Sequence, residues 1–202
     1  MPRGYVLDRS GNGNHGNLVG NMSTSTVYTV GKVGQALDFD GVDDAVNIPS
    51  SDSINSATGA GQPRSWGFWF YYVGGVNESV VEKYSTFYGC NFWSEIQSNA
   101  VWGSVDGSGS CGGGTAVILK TAVRKGEWTH IFFTYDGSDT RLYKNGVLAA
   151  GPTSQTAPSD NTYALRFMGI GGYNTAGKLD DVRIYNRALS AAEVLQLYNM
   201  GK

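Results

Sequence analysis

The stretch GKLDDVRIYNRALSAAEVLQLY, Gly177 to Tyr198, decides the fold. Its first half alternates as a β-strand does, with Leu179, Asp181, Arg183 and Tyr185 on one face and Asp180, Val182 and Ile184 on the other. Asn186-Arg187 ends the strand. Ser190 then stands where a helix N-cap belongs, with Glu193 three residues later, the spacing of a capping box. Val194, Leu195, Leu197 and Tyr198 supply the apolar stripe of one short helix. Two adjacent carboxylates in that strand, Asp180 and Asp181, are either solvated at an edge or held by a cation.

Moving back along the chain, WTHIFFTY (Trp128 to Tyr135) and Thr140 to Ala149 read as paired strands, with Asp136-Gly137 opening the turn between them. Asn145-Gly146 is the strongest hairpin signal in the chain. RSWGFWFYYV, Arg64 to Val73, is apolar on both faces, which predicts a central strand whose rings fill the core. Gln35 to Ile48 reads as two short strands around Asp40-Gly41, and it crowds Asp38, Asp40, Asp43 and Asp44 into one corner. Like charges at that density repel unless a cation or hydrogen-bond donors neutralise them. Asp8 to Asn17, rich in Gly, Asn and Ser, predicts irregular chain offering Asp8, Asn12, Asn14 and His15. It reads either as a solvated turn or as a source of the carboxylate and carbonyl oxygens that calcium prefers.

Phe87 to Thr115 forms a hairpin around Asn99 followed by a glycine-rich loop. Trp93, Glu95 and Gln97 share one of its faces, and Tyr88 and Trp102 lie close in sequence. Aromatic rings beside carboxylates and amides are the chemistry of sugar binding, so Tyr88, Trp93, Glu95 and Trp102 form the candidate ligand set; core filling is the competing account. Cys90 and Cys111 flank this segment and permit a disulfide, the alternative being two separate thiols.

Four stretches together carry a family resemblance: DRSGNGNHG (Asp8 to Gly16), GKVGQALDFDGVDDAVNIP (Gly31 to Pro49), EWTHIFFTYDGSDTRLYKNGVLA (Glu127 to Ala149) and the C-terminal strand and helix. In this order they resemble the laminin-G-like, concanavalin-A-like jelly-roll domains. The resemblance implies an all-β, two-sheet antiparallel sandwich over residues 1–202, a single domain with one short C-terminal helix. It also implies a structural calcium ion, with Asp180 as the best-matched ligand, Asp181 beside it, Asp8 and Asn12 from the N-terminal segment, and Asp44 as a weaker addition. That set requires the two chain ends to lie together in the sandwich.

The 202 residues suit one domain, and 29 glycines against 5 prolines, with 12% aromatics, suit many strands joined by tight turns. A net charge of −2 without a basic block argues against nucleic acid, and no apolar run is long enough to insert in a membrane. MPRGYVLDRS has no apolar signal segment. The chain therefore reads as a monomeric domain excised from a longer extracellular or cell-surface protein, with Met1 an added start. Jelly-roll glycosidases carry E-x-D-x-x-E on one strand, which is not found in this sequence, and no nucleophile motif stands near His130. The expected function is a non-catalytic carbohydrate-binding or adhesion module whose partner is a glycan or a cell-surface or matrix protein. The alternative is a structural spacer of an extracellular or virion surface protein, and a polysaccharide-active enzyme ranks below both.

Overall fold

The structure, a computed structural model, describes residues 4–23, 25, 27–74, 78–85, 89–105, 117–155, 158, 162–170 and 173–202. The first third contains β1 (Tyr5–Val6), β2 (Gly16–Val19), β3 (Tyr28–Val30), β4 (Gln35–Asp40), β5 (Ala45–Ile48), a one-and-a-half-turn helix α1 (Asp52–Ala57) and β6 (Arg64–Gly74). The middle contributes β7 (Glu78–Ser85), β8 (Gly89–Gln97), β9 (Ala100–Val105), β10 (Leu119–Ala122), β11 (Trp128–Tyr135), β12 (Asp139–Lys144) and β13 (Val147–Ser154). Last come β14 (Leu165–Phe167), β15 (Gly169–Ile170), β16 (Tyr173–Asn174), β17 (Ala176–Tyr185) and helix α2 (Ala191–Met200).

These strands form an eight-stranded sheet, β1-β2-β5-β14-β7-β8-β9-β10, and a seven-stranded sheet, β13-β12-β11-β6-β17-β4-β3, with β15-β16 a separate short hairpin. All pairings are antiparallel, and the two sheets form the expected jelly-roll sandwich. One core lies between them. The seven-stranded sheet contributes Trp66, Phe68, Phe70, Ile131 and Phe133, and the eight-stranded sheet contributes Val46, Val81, Phe92, Ile96 and Val101. Trp66 stacks on Phe133 with ring centroids 4.8 Å apart.

The aromatic run of β6 sits centrally, between β11 and β17. Its second apolar face has a purpose: Trp69 points away from the main core and is covered by α2, with Tyr198 stacked on the indole at 5.5 Å and His130 at 5.1 Å. Gly201 lies so close that a Cβ there would stand 2.6 Å from the indole nitrogen. Phe132, Tyr143, Leu189, Val194 and Leu197 complete this second, smaller core. The capping box forms as the spacing predicts, Ser190 accepting from the Glu193 amide while Glu193 accepts from the Ser190 amide. Ser65 on β6 ties the preceding turn down, donating to the Arg187 carbonyl and accepting from the Leu189 amide. Leu195 is exposed rather than part of the packed stripe; it lies across the Asn145-Gly146 turn.

The strand alternation expected for Gly177 to Tyr185 is corrected by a bulge. The register with β6 slips between Asp180 and Arg183, and Asp181 adopts φ 47°. The inserted residue moves Val182 and Ile184 to the core side with Leu179, and leaves Arg183 outside. Arg183 then closes on the Asp181 carboxylate at 2.9 Å. The chain ends also do not pair: β1 is an edge of the eight-stranded sheet, whereas β17 is an interior strand of the other. No helix among the described residues is long and apolar enough to cross a membrane.

His130 is buried under α2 with no hydrogen bond to Nδ1 among the described residues. Burial, reinforced by the nearby Arg183 charge, lowers its pKa from 6.5 to about 4. The unfolded chain takes up this proton below pH 6.5 and the folded ring refuses it until about pH 4. Stability from this group is therefore complete above pH 6.5 and drains away as pH falls toward 4. Compared with a His130→Gln variant, the native domain should lose roughly 3 kcal/mol over that window in denaturant melts. Parallel curves for the two proteins would contradict this.

Candidate functional site

Alternation along the eight-stranded sheet determines what its outer face offers. Leu18, Val46, Leu165, Phe167, Val81 and Phe92 turn inward, so their sequence neighbours turn out. Cross-strand register lines up Tyr5, Asn17, Asn47, Arg166, Glu82, Trp93 and Ser104 in one outward row. A second row places Glu95 opposite Trp102 and Trp102 opposite Lys120. The corresponding face of the other sheet is partly roofed by α2, so this is the sandwich's polar face.

The candidate ligand residues divide. Trp93 is only 3% exposed, so its ring cannot serve as a stacking platform. Trp102 is half-buried, and the Lys120 ammonium lies over its ring at 5.0 Å. Neither indole N–H has a hydrogen-bond partner among the described residues. Glu95 is half-buried, and burial raises its pKa. Tyr88 lies outside the described residues, as do Cys111 and the side chain of Cys90. The aromatic hairpin expected to hold a ligand is therefore largely structural at Trp93, because the indole packs into the sheet surface instead of standing above it.

The open part of the face lies one strand further over. A cleft of about 330 Å³ is lined by Val19, Ala45, Val46, Asn47, Arg166, Gly169 and Asn174. Arg166 is exposed, flanked across the strands by Asn47 and Glu82. Glu82 is 8% exposed and hydrogen-bonds the Ser79 hydroxyl. Burial first, then the charge of Glu95, push its pKa up to about 8, with Arg166 offsetting part of the rise. Asn174 donates to the Val42 carbonyl and so anchors the cleft to the β4–β5 turn. The strand L-R-F at Leu165 to Phe167 already implies that Arg166 faces opposite to its neighbours; nothing local in the sequence signals which strands it would lie between.

The four expected metal ligands are not gathered at one point. Asp8 accepts hydrogen bonds from the Ser10 amide and hydroxyl and from the Asn14 amide, closing its own loop. Burial opposes its ionisation, but these donors outweigh it and hold the carboxyl below its usual range. Asn12 donates to Ser10 and is exposed. Asp180 faces the β3–β4 turn, where the Lys32 and Val33 amides both donate to Oδ2 at 2.7 Å. Gly31 makes this approach possible, since a Cβ there would fall 2.3 Å from the same oxygen. Burial nevertheless outweighs those bonds and raises the Asp180 pKa. Asp8 and Asp180 thus serve backbone amides of separate loops belonging to different sheets, and the set Asp8, Asn12, Asp44 and Asp180 is corrected accordingly.

Asp44 belongs to a different cluster. Asp40, Asp43 and Asp44 bring carboxylate oxygens within 4.8 Å of one another in the β4–β5 turn. Burial, together with the charges of Asp40, Asp43 and Asp38, raises the Asp44 pKa against a hydrogen bond from the Asp40 amide. Asp43 accepts from Asn21 and Asp40 from the Val42 amide.

Residues 40–195 match the family model of the concanavalin A-like lectin/glucanases superfamily. The chain is a member of that superfamily. No curated protein matches it in sequence. Among solved structures, domain 4 of the extracellular GH43 arabinanase AbnA from Geobacillus stearothermophilus, in complex with arabinotriose, is 19% identical. It has a TM-score of 0.68 over 95% of this chain and 91% of that one. The binding domain of Paraclostridial Mosquitocidal Protein 1 is also 19% identical, with a TM-score of 0.72 over 98% of this chain and 51% of that one. The binding domain of botulinum neurotoxin DC, in complex with rat synaptotagmin II, is 15% identical, with a TM-score of 0.72 over 97% of this chain and 49% of that one. The chain thus spans about half the length of the toxin binding domains and nearly all of the arabinanase domain. At these identities the likeness is one of fold.

Removing the Asp180 carboxylate leaves two turn amides without their acceptor. Asp180→Ala should cost about 3 kcal/mol, against about 1 kcal/mol for Asp8→Ala in its exposed loop, read from urea midpoints at pH 7. Equal costs would show that Asp180 is not the buried acceptor that holds the β3–β4 turn.

Proposed function

We propose that the domain is a non-catalytic carbohydrate-binding or adhesion module of a larger extracellular protein, and that it binds its ligand through the outer face of the eight-stranded sheet. The observation that carries this is the cleft lined by Asn47, Asn174 and Arg166 together with Val19 and Ala45. Amide and guanidinium groups fix sugar hydroxyls, while a small apolar floor accepts the C–H face of a ring. Two relatives of the fold support the reading by what they hold, arabinotriose in one and synaptotagmin II in the other. A glycan array should give reproducible binding that an Asn47→Ala variant weakens at least roughly tenfold, the loss expected of one or two hydrogen bonds.

The burial of Trp93 favours a second reading, a structural or protein-interaction spacer whose sheet face is filled by its own side chains. A blank array from folded protein would move the assignment there.

A structural calcium ion is proposed at the β4–β5 turn. Asp40, Asp43 and Asp44 supply clustered oxygens of the type calcium takes, and a cation would relieve the repulsion that raises the Asp44 pKa. Adding calcium to chelated protein should raise Tm, and Asp43→Asn combined with Asp44→Asn should abolish the rise. An unchanged Tm in the native protein would remove the ion from this account.

A further inference from the structure

We propose that the ligand of this cleft is a saccharide bearing a carboxylate, with the carboxylate seated on Arg166 and the hydroxyl-rich end directed toward Asn174 and the acidic turn. The inference rests on the glycan-binding reading above and names the chemical class it would select.

Three observations lead to it. Arg166 is exposed in the cleft and forms no salt bridge among the described residues. The side chains across from it are Asn47, which is neutral, and Glu82, which is buried against Ser79 and carries its proton at neutral pH because burial and the Glu95 charge hold it there. The guanidinium is therefore a full positive charge whose only carboxyl neighbour in the row does not neutralise it. A planar guanidinium with free donors matches a carboxylate fork to fork, while a neutral hydroxyl uses only part of that capacity.

The second observation is the polarity of the site. The cleft has its cation in the outward row with Asn47 and Glu82, whereas its other border is the β4–β5 turn. There Asn174 binds the Val42 carbonyl, and Gly169 packs against Ala45 and the Asp44 carbonyl. Asp40, Asp43 and Asp44 stand in that turn. The guanidinium thus attracts an anion to its own side of the cleft, while the Asn174 side offers neutral amide and carbonyl groups, so the site orients a ligand that is acidic at one end and neutral at the other. The third is size: about 330 Å³ suits one or two sugar rings, enough to present a single carboxylate to a single arginine.

The test compares acid with ester by calorimetry at low salt. An aldobiouronic acid and its methyl ester form one pair, and sialyllactose and its methyl ester form the other, so that uronate and sialic-type carboxylates are separated. The expected result is binding of at least one acid at least roughly tenfold tighter than its neutral counterpart. That preference should be weakened by added salt, partly retained in Arg166→Lys and lost in Arg166→Gln, with unchanged Tm in both variants. Equal affinity for acid and neutral partner would overturn this inference and leave the glycan reading standing. An acid preference that survives Arg166→Gln would overturn it too, by locating the carboxylate elsewhere. Failure of all four probes, together with a blank array, would overturn both.

Discussion

The structure depends on burying β6 from both sides. A strand reading RSWGFWFYYV has no polar face to give to water, so each layer beside it must be covered. Trp66, Phe68 and Phe70 meet the opposite sheet, whereas Trp69 needs a cover of its own. The C-terminal helix provides it, and the short link between β17 and that helix is pinned by Ser65 and the capping box so that Tyr198 and Gly201 land on the indole. Trp69, His130 and Phe132 together bury large rings that would otherwise be exposed, a term of several kcal/mol.

That requirement makes the two outer faces of the sandwich unlike. The face carrying Trp69 is committed to helix packing and to the β3–β4 turn, held down by Asp180 and by Lys32 over the indole at 5.1 Å. Among the described residues the outward row of the opposite sheet includes amide, guanidinium and carboxyl groups. A ligand face is therefore what remains after the apolar demands of β6 are met. Within that face burial sorts the side chains again: Trp93 and Glu82 sink into the surface, and Arg166 and the asparagines stay accessible.

The acidic residues show how one residue type takes separate roles. Asp8 and Asp180 neutralise unpaired turn amides, a need that arises wherever a tight turn leaves N–H groups without a strand partner. Asp181 is matched to Arg183 by the bulge that places them together. Among the described residues Asp40, Asp43 and Asp44 remain as a concentration of like charge, in a turn whose backbone meets the cleft at Asn174 and Gly169.

Much of this was determined by sequence alone. Period-two alternation, Asn145-Gly146 and the Ser190–Glu193 box are local signals, and local signals set strands, turns and caps because the forces behind them act over a few residues. The sandwich and its central aromatic strand followed from them. Tertiary structure decided which distant residues meet. One inserted residue at Asp181 reversed which side chains of β17 face the core, and no period reveals a bulge in advance. Strand order placed β1 at an edge and β17 in the interior, separating Asp8 from Asp180, and it put Arg166 between Asn47 and Glu82. Those positions come from long-range hydrogen-bonded pairing and the competition of rings for burial, and neither is encoded in the spacing of neighbouring residues.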